Sequence, residues 1–281
     1  MAHKKIKTIG IVTRPNQPEA ETLAKEAEAF LTKEKRKVYL SRDMDKDEMI
    51  KKCDLIVVLG GDGTFIGVGR RMSQRSIPIL GINLGQLGFL TEVKKEEFFQ
   101  ALNMALHGRL PISERTMLEC TLIRKGKTLL KLPVVNDVVI TKGAIARIFD
   151  MQVLVDDMLV TNLKGDGIIV STPTGSTAYC LAAGGPIITP DVAAIAIAPI
   201  CPHSLNLRPL VIPDTVKLTI IPQYWSGSVV LTLDGQTSVD IKSYDVVKIT
   251  KFKKHPLRIM HWIERDYYSL LREKLKYGYR D

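Results

Sequence analysis

The sequence predicts an α/β domain with a parallel sheet and flanking helices, followed by an all-β domain. Over residues 1–112, short apolar runs alternate with amphipathic helical patterns, which is the rhythm of a parallel sheet with crossover helices. Residues 113–254 instead show many short strands separated by turn residues, which is typical of antiparallel sheets. Residues 255–281 form a tail with an amphipathic helix, and we expect that helix to pack back on the first domain.

The elements of the first domain follow from the spacing of apolar residues. Strands are predicted at 6–12, 38–40, 55–59 and 78–82, each a short run rich in β-branched or aliphatic residues. Pro18 opens a helix whose apolar positions recur at helical spacing as far as Leu31. Another helix is predicted after Thr64, and a third from about residue 94 to 107, where Gly108 is placed to end it.

The elements of the second domain are predicted from alternating apolar runs with turn residues between them. A single helix is expected near Thr177. In the tail, a helix over 265–277 is predicted to turn Tyr268, Leu271 and Leu275 inward. The predicted strands cover 117–124, 128–134, 137–141, 147–155, 158–161, 168–171, 194–199, 216–221, 228–234, 236–241 and 246–250.

Composition narrows the class of protein. The 281 residues are 45% apolar and 25% charged, as in soluble globular proteins, and the net charge of +10 favours anionic ligands. Nucleic acid is disfavoured because basic residues are scattered and aromatics make up only 6%. No apolar stretch reaches the roughly 18 residues of a membrane span, and no signal sequence is evident. Four scattered cysteines, expected to be small buried side chains, indicate a reducing cytoplasm rather than disulfides or zinc.

The stretch Gly60-Gly61-Asp62-Gly63-Thr64 is the first candidate for chemistry. It follows a buried strand, at the carboxyl edge where α/β sheets bind ligands, and glycines there allow a sharp turn and close backbone approach to a phosphate. A carboxylate beside a phosphate is electrostatically unfavourable, so Asp62 is interpreted as a base or as acting through a metal. A tight turn with Asp as a helix cap is an equally good interpretation of an isolated GGDG run.

Three further stretches carry polar side chains between apolar strands. Asn136-Asp137 could read a purine edge and ribose hydroxyls, or form a simple β-turn. The run from Gly165 to Tyr179, rich in hydroxyl residues and glycine, could lie against a sugar or a base, or merely cap the next helix. Asp234-Gly235 is most typical of a hairpin turn.

Together these stretches resemble the NAD kinases, over nearly the whole chain from about residue 6 to 254. GGDGT at Gly60–Thr64 is shared with phosphofructokinases and with lipid and sphingosine kinases, whereas TPTGSTAY at 172–179 is far more specific to NAD kinases. The segment GINLGQLGFL at 81–90 also matches the family's glycine-rich G-x-N-x-G-x-L-G-F-L pattern. The resemblance implies transfer of the terminal phosphoryl group of ATP, or of polyphosphate, to the 2′-hydroxyl of the adenosine ribose of NAD.

The resemblance also assigns roles to individual positions. Asp62 is implied as the general base, Gly60, Gly61, Gly63 and Thr64 as donor-phosphate ligands, and Phe89 as a lid over the dinucleotide. Asn136 would meet the adenine and Asp137 the ribose hydroxyls, although many members have the longer Glu at that position. Asp166 would meet the nicotinamide end, with the basic Lys164 just before it. The remaining implied NAD contacts are Asp62 and Gly63 themselves, Arg147, Thr174, Ser176, Thr177, Ala178, Tyr179, Cys180, Leu181, Ala182, His203 and Gln236.

The resemblance further implies Mg²⁺ or Mn²⁺ bridging the donor phosphates, and a homodimer or homotetramer formed through the β domain. No protein side chains are assigned as metal ligands, since the five histidines show no ligand spacing. The active site is expected in the cleft between the domains. An Asp is a weak base toward an alcohol, so the proton is expected to move late, after a loose transition state has formed.

Three other functions are compatible with parts of the sequence. A lipid or sphingoid kinase would share GGDGT but gives no reason for TPTGSTAY. A non-catalytic NAD(H)-sensing module would have lost Asp62, which is present. Nucleic-acid binding driven by the positive charge would show steep salt dependence. The expected partners are therefore small-molecule nucleotides, without nucleic acid or membrane.

Overall fold

A computed structural model describes residues 6–143, 147–223, 225 and 227–278, and in it the strands form three sheets. The chain divides into two compact units. The first joins the residues up to Arg115 to those from Lys254 onward, and the second is Thr116–Lys253. The first unit is therefore discontinuous in sequence, with the second inserted into it.

The first segment of the chain alternates strands with helices, as predicted. Its strands are β1 Thr8–Thr13, β2 Lys37–Leu40, β3 Leu55–Gly60, β4 Pro78–Asn83, β5 Val93–Lys94 and β6 Ile112–Arg115. Its helices are α1 Pro18–Lys33, α2 Lys46–Lys52, α3 Asp62–Arg71 and α4 Phe98–Leu106. Short 3₁₀ turns cover Met72–Gln74 and Lys95–Glu97. The helix α2 was not predicted, because its seven residues bury only Met49 and Ile50 and show little periodicity.

The regular secondary structure of the inserted segment consists almost entirely of strands. The strands are β7 Leu118–Arg124, β8 Lys127–Val134, β9 Asp137–Lys142, β10 Phe149–Val155, β11 Met158–Gly165, β12 Gly167–Ser171, β13 Ala194–Ile200, β14 Leu210–Pro213, β15 Leu218–Pro222, β16 Val229–Leu233, β17 Thr237–Ile241 and β18 Val246–Lys251. The helical exception near Thr177 is a 3₁₀ turn, Thr174–Thr177, followed by the single turn α5 Tyr179–Ala182.

The returning segment adds the strand β19 Leu257–Met260 and the helix α6 Tyr267–Leu275. The strand β19 completes the first sheet, whose order is β2-β1-β3-β4-β19-β6 with β5 beside β4. It runs parallel to β4 and antiparallel to β6, so the sheet is parallel except at one edge. The sequence interpretation of residues 255–281 as a purely helical tail was therefore incomplete.

The glycine turn lies at the end of β3, a buried strand in the middle of the first sheet. All six residues of β3 are buried, because α/β sheets are covered by helices on both faces. Its neighbours β1 and β4 pair with it in parallel, so the ends of three strands meet at one edge of the sheet. The turn at Gly60–Thr64 and the loop after β4 both start from that edge.

The tail helix packs on the first unit through a face that overlaps the predicted one. Leu271 is buried as predicted and Leu275 is half-buried, but Leu270 is also buried and Tyr268 is 60% exposed. The helix begins only at Tyr267, where Asp266 and Ser269 form a capping box. Among the cysteines, three are buried as expected, but Cys201 is exposed.

The second unit consists of two six-stranded sheets whose strand pairings are all antiparallel. Their orders are β11-β10-β15-β18-β7-β8 and β14-β13-β12-β9-β16-β17. The two sheets share one core, with side chains such as Leu122, Ile140 and Ile249 completely buried. Through the described part of the chain, no helix is long and apolar enough to cross a membrane.

Candidate active site

The GGDGT turn joins the end of β3 to the start of α3. Gly61 is the N-cap and Asp62 the first helical residue. None of Gly60, Gly61 and Gly63 has a positive φ, so a left-handed turn is not the reason for these glycines. A Cβ at Gly60 would lie 2.9 Å from Thr64 Oγ1, whereas one at Gly61 or Gly63 would meet nothing within 4 Å. Two of the glycines thus leave open space beside the turn.

The carboxylate of Asp62 is held by the backbone of the loop that follows β4. Its Oδ2 accepts the Phe89 N–H at 2.9 Å, and its Oδ1 accepts the N–H groups of Leu90 at 3.2 Å and Thr91 at 3.0 Å. The Thr91 hydroxyl also donates to Oδ1, at 2.8 Å. These four bonds fix the position and orientation of the carboxylate, so Asp62 is far more than a helix cap.

Other residues of the loop after β4, and Asn83 at the end of β4, allow the loop to come this close to Asp62. Any Cβ at Gly88 would overlap Asp62 Oδ1, so only glycine fits there while the carboxylate keeps its place. Thr91 is completely buried, and its hydroxyl accepts a hydrogen bond from Asn83 Nδ2 at 2.8 Å. Asn83 Oδ1 accepts the Gly85 N–H at 2.7 Å. The glycine-rich segment recognised in the sequence is therefore the support of Asp62.

In the second unit, Asp234 organises the Asn136-Asp137 turn. Its carboxylate accepts the backbone N–H groups of Val135 at 3.0 Å, Asn136 at 2.6 Å and Asp137 at 3.2 Å. Asp234 lies in the hairpin between β16 and β17, with φ of 53°. The hairpin interpretation was thus right but missed this second role, because a turn-forming Asp carries no sequence signal for a distant backbone partner.

Asp137 is a buried carboxyl group next to that second carboxylate. Only 5% of its surface is exposed. Burial, and then the negative charge of Asp234, raise the pKa of Asp137 to about 7. Near neutral pH this side chain is therefore divided between a protonated form, which donates a hydrogen bond, and an ionised form, which only accepts them.

The TPTGSTAY segment packs directly against the Asn136 turn. Thr172 donates its hydroxyl to Val135 O at 2.6 Å and its N–H to Asn136 O at 2.8 Å. A Cβ at Gly175 would collide with the same Asn136 carbonyl, so glycine is required for this contact. Within the described residues, Asn136 Oδ1 is buried and finds no hydrogen-bond partner. The turn therefore has an amide oxygen whose hydrogen-bonding capacity the fold leaves unused.

The residues after Thr172 divide into a surface group and a supporting group. Ser176 and Cys180 have no exposed surface, and the Ser176 hydroxyl bonds to Pro173 O and Ile188 N. These two residues hold the segment from behind, rather than standing on the surface as the NAD contacts implied by the resemblance. The others are accessible: Thr174, Thr177 and Leu181 are half-buried, and Ala178, Tyr179 and Ala182 are exposed.

A second polar cluster lies at the opposite end of the paired strands β9 and β12 from the Asn136-Asp137 turn. Asp166 Oδ1 lies 3.4 Å from Lys142 Nζ, and the His203 N–H donates to Lys164 O at 2.8 Å. Lys142 was missed by the sequence interpretation, since a Lys at the end of a strand is normally a solvated side chain. The register pairs Asp137 with Ser171 and Thr141 with Gly167. Four residues of strand therefore separate the clusters by roughly 14 Å.

Two weaker candidates lie at the margin of these clusters. Arg147 is exposed and follows directly on residues 144–146, which are outside the described part of the chain. Gln236 is exposed in the Asp234 hairpin, where its N–H donates to Leu233 O at 3.0 Å. Both residues are therefore accessible to a ligand.

The residues present suit a metal that is held mainly by a ligand rather than by the protein. In the ranges that the structure describes, no three His, Cys, Asp or Glu side chains converge as metal ligands. Mg²⁺ commonly binds through one or two carboxylates plus substrate phosphates. The half-buried Asp62 beside the open space at Gly61 is compatible with that arrangement.

Comparisons with known proteins agree with this architecture. The family models for the ATP-NAD kinase N-terminal domain and C-terminal domain match residues 46–110 and 135–261. An NAD kinase of Syntrophotalea carbinolica is 42% identical over 98% of this chain and 100% of its own length. One from Neisseria meningitidis is 40% identical over 96% of each chain.

Two solved structures share the fold. Yeast NADH kinase complexed with NADH superposes with a TM-score of 0.88 at 25% identity, over 99% of this chain and 90% of the other. An NAD kinase from Archaeoglobus fulgidus in complex with ATP gives a TM-score of 0.76 at 25% identity, over 96% and 100%.

The fold and its glycine turn thus define a nucleotide-dependent kinase of the α/β-plus-β type. At 42% identity over almost the entire chain, and with both family domains present, the chain belongs to the NAD kinase family.

Replacing Gly88 by Ala should displace the Asp62 carboxylate, because the new Cβ would occupy the position of Oδ1. We expect Gly88→Ala to lower kcat by at least about a hundredfold. Gly85→Ala in the same loop is the matched control, since its Cβ would meet only Asn83 Oδ1, at 3.9 Å. Steady-state kinetics of the two variants make the comparison. Equal turnover in both would show that the position of Asp62 is unimportant.

The raised pKa of Asp137 makes stability depend on pH. Its ordinary value is 3.8 and its folded value about 7, so ionisation opposes folding increasingly from about pH 4 to pH 7. Asp137→Asn should therefore be more stable than the parent at pH 8, by at most roughly 4 kcal/mol, and should lose this advantage near pH 4. Thermal unfolding at both pH values measures the difference.

The exposed Asp150→Asn, in the same unit, controls for the loss of one negative charge. If Asp137→Asn gains no stability over Asp150→Asn at pH 8, then the ionised Asp137 is not opposed by its surroundings.

Proposed function

We propose that this chain transfers the terminal phosphoryl group of ATP to the 2′-hydroxyl of the adenosine ribose of NAD, with Asp62 as the general base. The observation that carries the proposal is the fixed Asp62 carboxylate, at the N-terminus of α3 and beside two glycines that leave open space. A carboxylate held by four hydrogen bonds is preorganised, so it does not need to reorient when the hydroxyl arrives.

The two oxygens of Asp62 have different capacities for a further hydrogen bond. Among the described residues, Oδ1 accepts three donors, whereas Oδ2 accepts the Phe89 N–H alone. An ionised carboxylate oxygen accepts about two hydrogen bonds, so Oδ2 is the atom that would take the substrate hydroxyl. In a loose transition state little deprotonation is needed at first, and Oδ2 receives the proton as the new P–O bond completes.

The donor phosphates are assigned to the turn Gly60–Thr64. The positive end of the α3 helix dipole lies at this turn and favours an anion. The open space at Gly61 and Gly63 gives phosphates room to approach. Arg14 is exposed, and its Cβ lies 3.2 Å from where a Cβ at Gly60 would stand, so it is a nearby source of positive charge. Binding of ATP by the Archaeoglobus relative supports this assignment.

The acceptor is assigned to the polar clusters of the second unit. The half-buried Asn136 is assigned to the adenine, and Asp137 can both donate and accept toward ribose hydroxyls near neutral pH. The accessible residues of the segment 174–182 would cover the adenosine, with Phe89 closing over the dinucleotide; they are Thr174, Thr177, Ala178, Tyr179, Leu181 and Ala182. Lys164, Asp166 and His203, roughly 14 Å away, would meet the nicotinamide end. The NADH complex of the yeast relative supports a dinucleotide site.

Three further properties belong to the proposal. Mg²⁺ or Mn²⁺ bound to the donor phosphates would neutralise charge that develops during transfer. A cytoplasmic location fits the absence of disulfides among the described cysteines. A homodimer or homotetramer through the β-rich unit is supported by the edge strand β11, where Met158, Leu159 and Val160 are 69%, 54% and 45% exposed.

The direct test is to incubate the protein with NAD, Mg²⁺ and either ATP or polyphosphate, and to measure NADP with an NADP-specific dehydrogenase. We expect NADP with ATP. The polyphosphate reaction decides whether the donor site requires an adenosine group. Formation of no NADP with either donor would refute the proposed function.

Asp62→Asn should bind NAD normally but lose about 10²- to 10⁴-fold in kcat, because the amide cannot accept a proton. NAD affinity is measured by calorimetry and kcat by NADP formation. Asp43→Asn, at an exposed position of the same unit, is the charge-matched control and should retain full activity. Near-normal turnover of Asp62→Asn would remove Asp62 from the catalytic role.

Gly63→Ala tests the donor site without disturbing the protein. The added Cβ meets nothing within 4 Å, and alanine within a helix is favoured over glycine by about 0.5–1 kcal/mol. We therefore expect an unchanged or slightly higher Tm but a KM for ATP raised about tenfold or more, as the methyl group occupies space meant for phosphates. An unchanged KM for ATP would place the donor elsewhere.

A further inference from the structure

The returning tail contacts the loop that holds Asp62. Lys274 lies in α6. Its ammonium donates a hydrogen bond to Leu87 O at 2.6 Å, and Nζ lies 5.5 Å from the centroid of the Phe89 ring. The ring of Tyr267, at the start of α6, lies 6.2 Å from the same Phe89 ring. At the other end of the loop, Arg265 Nη1 donates to Glu92 O at 3.1 Å. Basic side chains of the tail thus bind carbonyl groups at both ends of residues 87–92.

Three backbone N–H groups of the same six residues face Asp62. The N–H groups of Phe89, Leu90 and Thr91 all donate to the Asp62 carboxylate. The loop is therefore bound on one side by the tail and on the other by Asp62. Any shift of the loop relative to α6 would move these three N–H groups, and Asp62 Oδ2 would move with the Phe89 N–H.

Lys274 is not what anchors α6 to the first unit. Leu270 and Leu271 bury their side chains, and the Arg265 guanidinium binds both Glu97 oxygens, at 2.7 and 2.9 Å. Lys274 itself is exposed apart from its contacts with Leu87 and Phe89. Its ammonium makes a charge-assisted hydrogen bond to a loop carbonyl and a cation–π contact to the loop's aromatic side chain. These contacts restrain the loop more than they stabilise the helix.

We propose that Lys274 is a positioning residue for the phosphoryl-transfer reaction, fixing the loop 87–92 so that Asp62 Oδ2 faces the substrate hydroxyl. The inference rests on the proposed role of Asp62 as the base. It makes the C-terminal helix part of the catalytic apparatus, although the tail lies more than 180 residues from Asp62 in sequence.

Lys274→Met is the test variant, because it keeps an unbranched apolar stem against Phe89 and removes only the ammonium. We expect kcat to fall about tenfold, with the KM values for NAD and ATP changed less than twofold and Tm nearly unchanged. Lys274→Arg, which can still donate to Leu87 O, should recover most of the activity. Arg272→Met is the matched control, since it removes one exposed positive charge from the same helix and should leave kcat unchanged.

A second readout does not depend on turnover. Hydrogen exchange of a peptide containing residues 89–91, followed by mass spectrometry, reports on the N–H groups that bind Asp62. Exchange should be faster in Lys274→Met than in the parent or in Arg272→Met. If the parent makes no NADP, the proposed function fails, while this measurement still decides whether Lys274 fixes the loop.

Two results would overturn the positioning role. A raised KM for ATP with normal kcat and normal exchange would make Lys274 a donor-binding residue instead. A fall in Tm large enough to account for the lost activity, without recovery by Lys274→Arg, would reduce Lys274 to a structural contact.

Discussion

The attachment of one carboxylate to three consecutive backbone N–H groups determines much of the first unit. Asp62 can receive the N–H groups of residues 89–91 only if the loop comes within hydrogen-bond distance, and this excludes a side chain at Gly88. The same constraint extends to Gly81, where a Cβ would lie 2.7 Å from Leu90 O. Asn83 Nδ2 in turn donates a hydrogen bond to the Thr91 hydroxyl. Gly81 and Gly88 are therefore required because the loop lies too close to them for a side chain.

The second unit repeats the same device with a different carboxylate. Asp234 collects the N–H groups of Val135, Asn136 and Asp137, as Asp62 collects those of 89–91. Both acidic residues follow directly on a buried strand or its turn, and both fix a loop from a separate part of the chain. The charge of Asp234 has a second effect, because its proximity helps to raise the pKa of Asp137.

The sequence predicted the parts of the fold that depend on local patterns. The buried run of β3, the helical spacing of α1 and the change of rhythm after Pro111 were read correctly, because burial on a strand or helix leaves a periodic signal. The four-residue strand β19 was not predicted, because its place between β4 and β6 depends on pairing with residues far away in sequence. The inward face of α6 was predicted correctly at Leu271 but not at Tyr268, which is exposed.

For the candidate site, motif resemblance named residues but could not predict the contacts between them. Nothing local in the sequence indicates that Thr91 holds Asp62, that Asp234 organises the Asn136 turn or that Lys142 pairs with Asp166. Ser176 and Cys180 belong to the recognised motif, yet packing places them behind its surface. Each of these relations joins segments that only the folded chain brings together.

The insertion of the β-rich unit into the first unit also has a consequence for biosynthesis. Residues 116–253 are continuous and can pair their strands as soon as they leave the ribosome, whereas the first sheet lacks β19 until Leu257–Met260 have also been made. During that interval the facing edges of β4 and β6 have no strand between them. The loop that carries the N–H donors for Asp62 gains its contacts with the tail only after Arg265 and Lys274 have been made, so shorter translation products would lack those contacts.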